Sequence, residues 1–210
     1  MTPAQEPAEE PARLQVLLDP RWIELPIDTQ VDAGSWAAEA VADALAVRGI
    51  VEPAPVVHLY VQTYAAILDS IRERAAAIED VRLVGAFALV GQDELLADTV
   101  AELAYVPVDS DRFDDVVDSF VVPAEQRFAE PDVSELDTDF GTAVRLQQLR
   151  IVPPDDSADP SVQASVIYLW PAQVPGRAVV LSAWFGSPVD ADTTRPVVDQ
   201  LAASLRVEPT

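Results

Sequence analysis

The chain has 210 residues, half of them apolar, and a formal net charge of -23 from 36 acidic and 13 basic residues. It contains no cysteine, no lysine and a single histidine, His58. Because covalent and acid–base catalysis mostly draws on Cys, Lys and His side chains, this composition excludes most enzyme mechanisms and leaves carboxylate chemistry, cation binding by oxygen ligands, or a non-catalytic role.

The acidic charge bears on partners rather than on the fold. Nucleic acid and anionic membranes carry negative charge themselves, so we expect neither to bind this surface. A basic protein is the partner that the charge favours, although a surface that only keeps the chain soluble is the simpler interpretation. No apolar run approaches the roughly 18 residues of a membrane span, and we expect no membrane insertion.

The N-terminal segment reads MTPAQEPAEEPAR, a mixture of Pro, Glu and Ala that cannot bury an apolar face. We therefore predict a disordered, acidic, Pro-rich tail over residues 1–13 and a single domain over residues 14–210. The segment also lacks the basic-then-apolar order of a secretory signal, and without cysteine nothing indicates an oxidising compartment. The expected location is the cytoplasm.

The first third of the domain predicts one strand and two helices. Trp22 to Leu25, followed by a proline, is typical of a short strand that ends in a turn. The next apolar stripe, over residues 36–45, predicts a helix capped by Asp32 or Ser35, with Gly49 in the position of a C-cap glycine. A longer stripe predicts a second helix over residues 57–79.

The rest of the chain alternates strands with short helices. The pattern predicts strands at residues 81–90 and 102–108, a short helix at 111–120, a loop around Pro131, strands at 142–152, 162–169 and 178–185, and a terminal helix at 194–206. For that helix, Thr194 is the expected cap, with Pro196 in its first turn.

The fold class follows from two of these strands. In residues 162–169 and 178–185 the side chains on both faces of the strand are apolar, which indicates that other elements cover both faces of the sheet. Strands that follow one another through short turns pair antiparallel. We predict an α+β domain in which a mostly antiparallel sheet lies between helices, in three layers.

The order of elements resembles the α/β/α sandwich of PsbP-like proteins and a group of uncharacterised acidic actinobacterial proteins. RWIELP near the start and the closing WPAQVPGRAVVLSAWFGSP and PVVDQLAASLRV carry this resemblance, which spans most of residues 21–206 as a pattern. The resemblance implies a non-catalytic accessory or binding protein. It supplies no site residues for this chain.

The densest cluster of oxygen ligands lies at residues 109–115, with Asp109, Asp111, Asp114 and Asp115. Its alternation is similar to a calcium loop, but Asp114 stands where that loop needs glycine, and the twelfth position is Phe120. The simpler interpretation is that residues 109–111 cap the short helix, while the later carboxylates stabilise its N-terminal dipole.

Two further features receive structural interpretations. His58 has no second His or Cys to complete a zinc site, so a surface or cap role is expected. The four tryptophans are expected to anchor the core. The alternative for them is an aromatic binding patch around Tyr168, Trp170 and Pro171.

The sequence therefore assigns no catalytic, cofactor-binding or metal-binding residue and requires no cofactor. It favours a non-catalytic accessory or protein-interaction domain with an acidic surface. The alternative is a small-ligand-binding protein or carboxylate-based enzyme with a pocket between sheet and helices. A pocket lined by several inward-facing Asp, Glu or Arg would favour this alternative, and a solid core there would favour the interaction domain.

Overall fold

A computed structural model describes residues 13–78, 80–91, 95–108, 112–153, 160–171 and 176–208. Its helices are α1 (Ala33–Arg48), α2 (Ala54–Ala77), α3 (Phe113–Ser119) and α4 (Pro188–Ala203), with a 3-10 turn at Ala124–Gln126. Its strands are β1 (Leu14–Gln15), β2 (Trp22–Leu25), β3 (Arg82–Val90), β4 (Ala97–Pro107), β5 (Asp132–Thr138), β6 (Gly141–Val152), β7 (Ser161–Pro171), β8 (Arg177–Phe185) and β9 (Arg206–Val207). None of the described helices combines the length and the apolar character needed to span a membrane.

Seven strands form one antiparallel sheet in the order β2-β3-β4-β8-β7-β6-β5, and β1 pairs with β9 separately. The predicted α+β class and antiparallel pairing are confirmed. β7 and β8 lie in the middle of the sheet, and their side chains are buried on both faces, as their apolar composition predicts.

One face of the sheet, which we call the α4 face, packs against α4. Phe87, Leu103, Val166 and Leu181 of this face belong to the same buried cluster as the apolar side of the helix. On the α4 side, the cluster is completed by Ala191, Val198, Leu201 and Ala202. The terminal helix therefore secures the centre of the sheet from one side.

The opposite face, which we call the α2 face, has two separate apolar clusters. α1 and α2 cover the part of this face that β2 and β3 form, where Tyr64, Leu68 and Ile71 of α2 are buried. α3 covers another part of the face, where Leu169 of β7 and Val180 of β8 are buried. Helices thus contact both faces of the sheet. The arrangement of three complete layers stays a prediction, because the clusters on the α2 face are separate and leave a cleft beside α2.

The ends of α1 follow the sequence prediction. Asp32 accepts a 2.9 Å hydrogen bond from the backbone N–H of Ser35, and Gly49 adopts the left-handed conformation with φ 64°. These contacts satisfy backbone groups that the helix itself leaves unpaired. Among the described residues, the predicted strand at Trp22–Leu25 is also confirmed.

The start of α4 differs from the prediction. Ser187 is the N-cap, accepting a 3.2 Å hydrogen bond from the N–H of Asp190, and Pro188 occupies the first turn. The helix therefore begins six residues before Thr194 and has Pro196 in its interior. Its end also differs, because residues 206–207 form β9 rather than a last helical turn. The capping serine and the proline after it determine where the helix begins, although its first turns are only weakly apolar.

The edge strand β5 was missed, since residues 132–138 were expected to be loop. Five of its seven side chains are polar and four of the seven are exposed, so it lacks the apolar signal of the central strands, and only pairing with β6 through the turn at Gly141 defines it. β4 also begins at Ala97 rather than residue 102.

For α3, the N-cap is Arg112, which corrects the predicted cap at residues 109–111. Those three residues, like 1–12 of the predicted tail, lie outside the described residues.

Candidate functional site

A cleft of about 700 Å³ lies between α2 and the α2 face of the sheet. Its walls come from one helix and four neighbouring strands. The lining residues are Thr63, Ala66, Ile67, Ser70, Arg74, Val100, Arg150, Gln163 and Trp184.

The helix side of the cleft follows from the sequence of α2. Thr63, Ala66 and Ser70 are spaced by three and four residues, which places them on one side of the helix. Their short side chains cannot fill the space above the sheet, whereas Tyr64 and Leu68 on the neighbouring stripe are fully buried. The helix is therefore held close to the sheet along one stripe and leaves a gap along the next.

The floor of the cleft is built by strand register. Val100 of β4 lies opposite Trp184 of β8, and Gln163 of β7 lies opposite Arg150 of β6. Cross-strand partners point to the same face of a sheet, so the indole and the guanidinium both project toward α2. The register places the Cα atoms of Arg150 and Trp184 about 12 Å apart, because the two residues are separated by two strand spacings across the sheet and two residues along it.

Arg74, in the last turns of α2, is fixed by three contacts. Its Nη1 donates a 2.7 Å hydrogen bond to Oγ of Ser70, and its Nη2 is hydrogen-bonded to Glu102 of β4. Its guanidinium carbon lies 5.9 Å from the centre of the Trp184 ring, within the range of a cation–π contact. Its charge is therefore matched by a carboxylate beside the cleft.

Arg150, at the other end of the cleft, has a different environment. Its Nε donates a 2.8 Å hydrogen bond to Oε1 of Gln163, which is a neutral partner. Within the described ranges, no carboxylate oxygen lies within 4.0 Å of its guanidinium. Arg150 is exposed, so it places a positive charge at the rim of the cleft.

The charge of the cleft is opposite to that of the chain. Two arginines line it, and its described lining includes no Asp or Glu, although acidic residues outnumber basic ones 36 to 13 in the sequence. Arg binds carboxylates and phosphates through its planar, forked donors. The arrangement thus combines a cationic end at Arg150 with an apolar wall at Trp184 and Ile67.

A second polar cluster lies beneath α4 and has a structural role. Asp199 of α4 accepts hydrogen bonds from Tyr168 Oη at 2.6 Å and from Arg145 Nη1 at 3.1 and 3.3 Å, while Arg145 Nε donates to Ser134. Burial raises the pKa of the Tyr168 hydroxyl far above its ordinary value of 10.0, and the hydrogen bond to Asp199 adds to the effect. The cluster joins the helix to the sheet.

The residues singled out from the sequence do not meet in a site. His58 lies exposed near the start of α2, and Asp114 and Asp115 lie exposed in the first turn of α3. Asp109 and Asp111 fall outside the described residues. Within those residues, no group of three or more His, Cys, Asp or Glu is placed to hold a metal ion.

The proposed aromatic patch is wrong as a surface feature. Tyr168 is fully buried and Trp170 is 1% exposed, and they belong to the cluster on the α4 face. Core anchoring is confirmed for Trp22 and Trp170, while Trp184 is half-buried in the cleft wall. The partly exposed tryptophan of the cleft thus lies on β8, whereas the patch expected from the sequence lies on β7.

The cleft residues were missed because they come from separate elements. Arg74, Gln163, Arg150 and Trp184 lie on α2, β7, β6 and β8, and no local motif joins them. One available signal was the stripe of small residues along α2, which marks a side of the helix whose side chains fill little space. Comparisons with protein-family models, curated proteins and solved structures found no match to this chain.

Proposed function

We propose that this protein is a non-catalytic binding protein that takes a small organic anion with an apolar body into the cleft beside α2. The observation that carries the proposal is Arg150, a cation without a described carboxylate partner at the end of a concave site, in a chain with a net charge of -23. At the end of a concave site, the planar guanidinium offers forked donors that fit a carboxylate or a phosphate.

The size and lining of the cleft support this proposal. Its volume of about 700 Å³ lies within the usual range of small-molecule sites, which are apolar with a few convergent polar groups. Ile67, Val100 and Trp184 supply the apolar part, while Arg150 and Gln163 supply the polar end. The hydroxyls of Thr63 and Ser70 have no base among the described lining residues, which favours binding over catalysis.

The resemblance to PsbP-like proteins points in the same direction, because it implies accessory or binding functions. The criterion set from the sequence is met in part, since the space between sheet and helix is open and two arginines line it, whereas several inward-facing charged residues were required. A carboxylate-based enzyme is less well supported, because the described lining contains no pair of carboxylates to share the chemistry.

The test is titration calorimetry with 2-naphthoate, an apolar monocarboxylate, at physiological ionic strength. At a ligand efficiency of about 0.3 kcal/mol per non-hydrogen atom, we expect a Kd of about 1 mM or tighter. Arg150→Gln removes the charge and should weaken binding roughly tenfold or more, because charge-assisted hydrogen bonds are lost.

The matched control is Arg82→Gln, which removes an exposed arginine at the start of β3, outside the lining of the cleft. This control corrects for the change in net charge and should bind the probe as the wild type does. Equal weakening by both substitutions, or no binding of 2-naphthoate to the wild type, would contradict the proposal.

A binding surface for a basic protein is the second candidate. The observation that favours it is the outer strand β5, which has exposed Asp132, Glu135 and Asp137 at an edge of the sheet. Capture of partners at low and high salt tests it, because screening weakens contacts between exposed charges. A partner that is lost at high salt, and lost with the three carboxylates changed to amides, is the expected result; salt-independent capture would contradict it.

A further inference from the structure

We infer that Glu102 makes the cleft selective for singly charged ligands, so that it takes an apolar monocarboxylate and rejects a dianion. The inference rests on the proposed function, because it concerns the ligand of that same cleft. It follows from the different environments of the two arginines.

Glu102 is held in place by the sheet. It lies on β4 with Ala86 and Ser182 as its cross-strand partners, and its side chain is 15% exposed. Its chain neighbours, Ala101 and Leu103, are buried in the cluster on the opposite face. The carboxylate therefore cannot leave the cleft side of the sheet, and it pairs there with Arg74.

Arg74 is consequently not a second anion site. Its charge is matched by Glu102, and a further hydrogen bond goes to Ser70. The ion pair has no net charge, so a ligand carboxylate beside Arg74 would lose its hydration without a net positive charge to offset the cost. This end of the cleft therefore disfavours a second carboxylate.

The geometry of the floor separates the two ends. A carboxylate bound at Arg150 directs the body of the ligand toward Trp184, which lies about 12 Å away between Cα atoms by strand register. Glu102 lies one strand further and two residues along from Trp184. Before Glu102, the distal end of the ligand meets the guanidinium of Arg74, which lies 5.9 Å from the centre of the Trp184 ring and is paired with Glu102. A second negative group there would therefore be placed beside a neutral ion pair.

The experiment compares 2-naphthoate with naphthalene-2,6-dicarboxylate, which has a carboxylate at each end of the same ring system. Wild-type protein should bind the monoacid about tenfold tighter than the diacid, because the second carboxylate of the diacid is desolvated beside a neutral ion pair. Glu102→Gln keeps the side-chain volume, removes the opposing charge and frees Arg74. It should raise the affinity for the diacid about tenfold while changing that for the monoacid less than about threefold.

Two controls make the result specific. Glu135→Gln makes the same charge change on the edge strand β5 and should leave both affinities as they are in the wild type. Adding Arg74→Gln to Glu102→Gln should abolish the gain for the diacid, because the freed guanidinium is then absent. Circular dichroism confirms that each variant is folded before titration.

Equal affinities of the wild type for the two acids, or an unchanged diacid affinity in Glu102→Gln, would overturn the inference and leave the proposed function standing. Failure of the monoacid to bind the wild type would contradict the proposed function itself, and the inference with it. A gain for the diacid that is as large in Glu135→Gln would also overturn it, because the effect would then come from net charge.

Discussion

The hydroxyl of Tyr168, in the middle of the sheet, donates a 2.6 Å hydrogen bond to Oδ1 of Asp199 on α4. Arg145 of β6 binds the same carboxylate, so a neutral donor and a charged donor share one acceptor. Since α4 has Pro196 in its interior and loses a backbone hydrogen bond there, this side-chain network helps hold the helix on the sheet.

Replacing Asp199 by alanine should lower the free energy of unfolding by about 2–4 kcal/mol, because Arg145 and Tyr168 then lose their acceptor in a partly buried site. Urea denaturation measures the change. The control is Asp192→Ala on the same helix, whose side chain is 79% exposed and 3.9 Å from Arg195, and we expect a change within about 0.5 kcal/mol. Equal effects of the two substitutions would contradict the assigned role of the network.

The pH dependence of stability should report the buried Tyr168 hydroxyl. Its pKa is raised in the folded protein above the ordinary 10.0, so its contribution is complete below that pH and is lost as the pH rises further. Above about pH 10 the unfolded chain releases a proton that the folded chain keeps, and stability should fall by up to about 1.4 kcal/mol per pH unit.

The measurement is urea denaturation between about pH 8 and 11 of wild type and Tyr168→Phe, with the unfolded-state tyrosine pKa near 10 as the reference point. The phenylalanine variant is less stable at neutral pH but lacks this proton, so its stability should fall less steeply in the alkaline range. Parallel alkaline slopes would show that Tyr168 ionises as readily in the folded state as in the unfolded chain.

Gly85 of β3 is required by a close approach to Phe87. A Cβ at position 85 would lie 2.8 Å from Cζ of that ring, which is buried in the cluster on the α4 face. Gly85→Ala should therefore cost about 1–3 kcal/mol of stability through overpacking. The cost should shrink in a Phe87→Leu background, and the double-mutant cycle measures the coupling.

Gly34→Ala is the matched control for that substitution. Gly34 lies in the first turn of α1, where a Cβ would meet only Oδ2 of Asp32 at 3.7 Å. Alanine there should stabilise the protein by up to about 1 kcal/mol, since glycine is unfavourable within a helix. If both substitutions destabilised equally, the crowding at Phe87 would not be the cause.

Removal of divalent cations should leave the melting temperature nearly unchanged, because the apolar clusters on both faces of the sheet account for the fold without a ligand set. Sodium chloride and calcium chloride should stabilise equally at matched ionic strength by screening the acidic self-repulsion. A large, saturable gain from micromolar calcium is the contrary result, and it would make Asp109, Asp111, Asp114 and Asp115 the first residues to substitute.

Local sequence determined the elements whose signals lie within one element. Asp32 and Gly49 define the ends of α1 because each satisfies backbone groups a few residues away. β7 and β8 have apolar side chains on both faces, which predicted central strands, because a strand that is covered on both faces exposes few side chains to water. Those features require no knowledge of distant partners.

Tertiary structure decided the elements and contacts that depend on pairing. β5 is mostly polar and becomes a strand only because β6 returns beside it through the turn at Gly141. The arginine cleft depends on the same kind of information, since Arg150, Gln163 and Trp184 come together through the register of three strands and meet Arg74 from a helix. A sequence pattern indicates which face of a strand or helix a side chain occupies. Strand register and helix placement determine which side chains meet, and both are set by packing across the whole sheet.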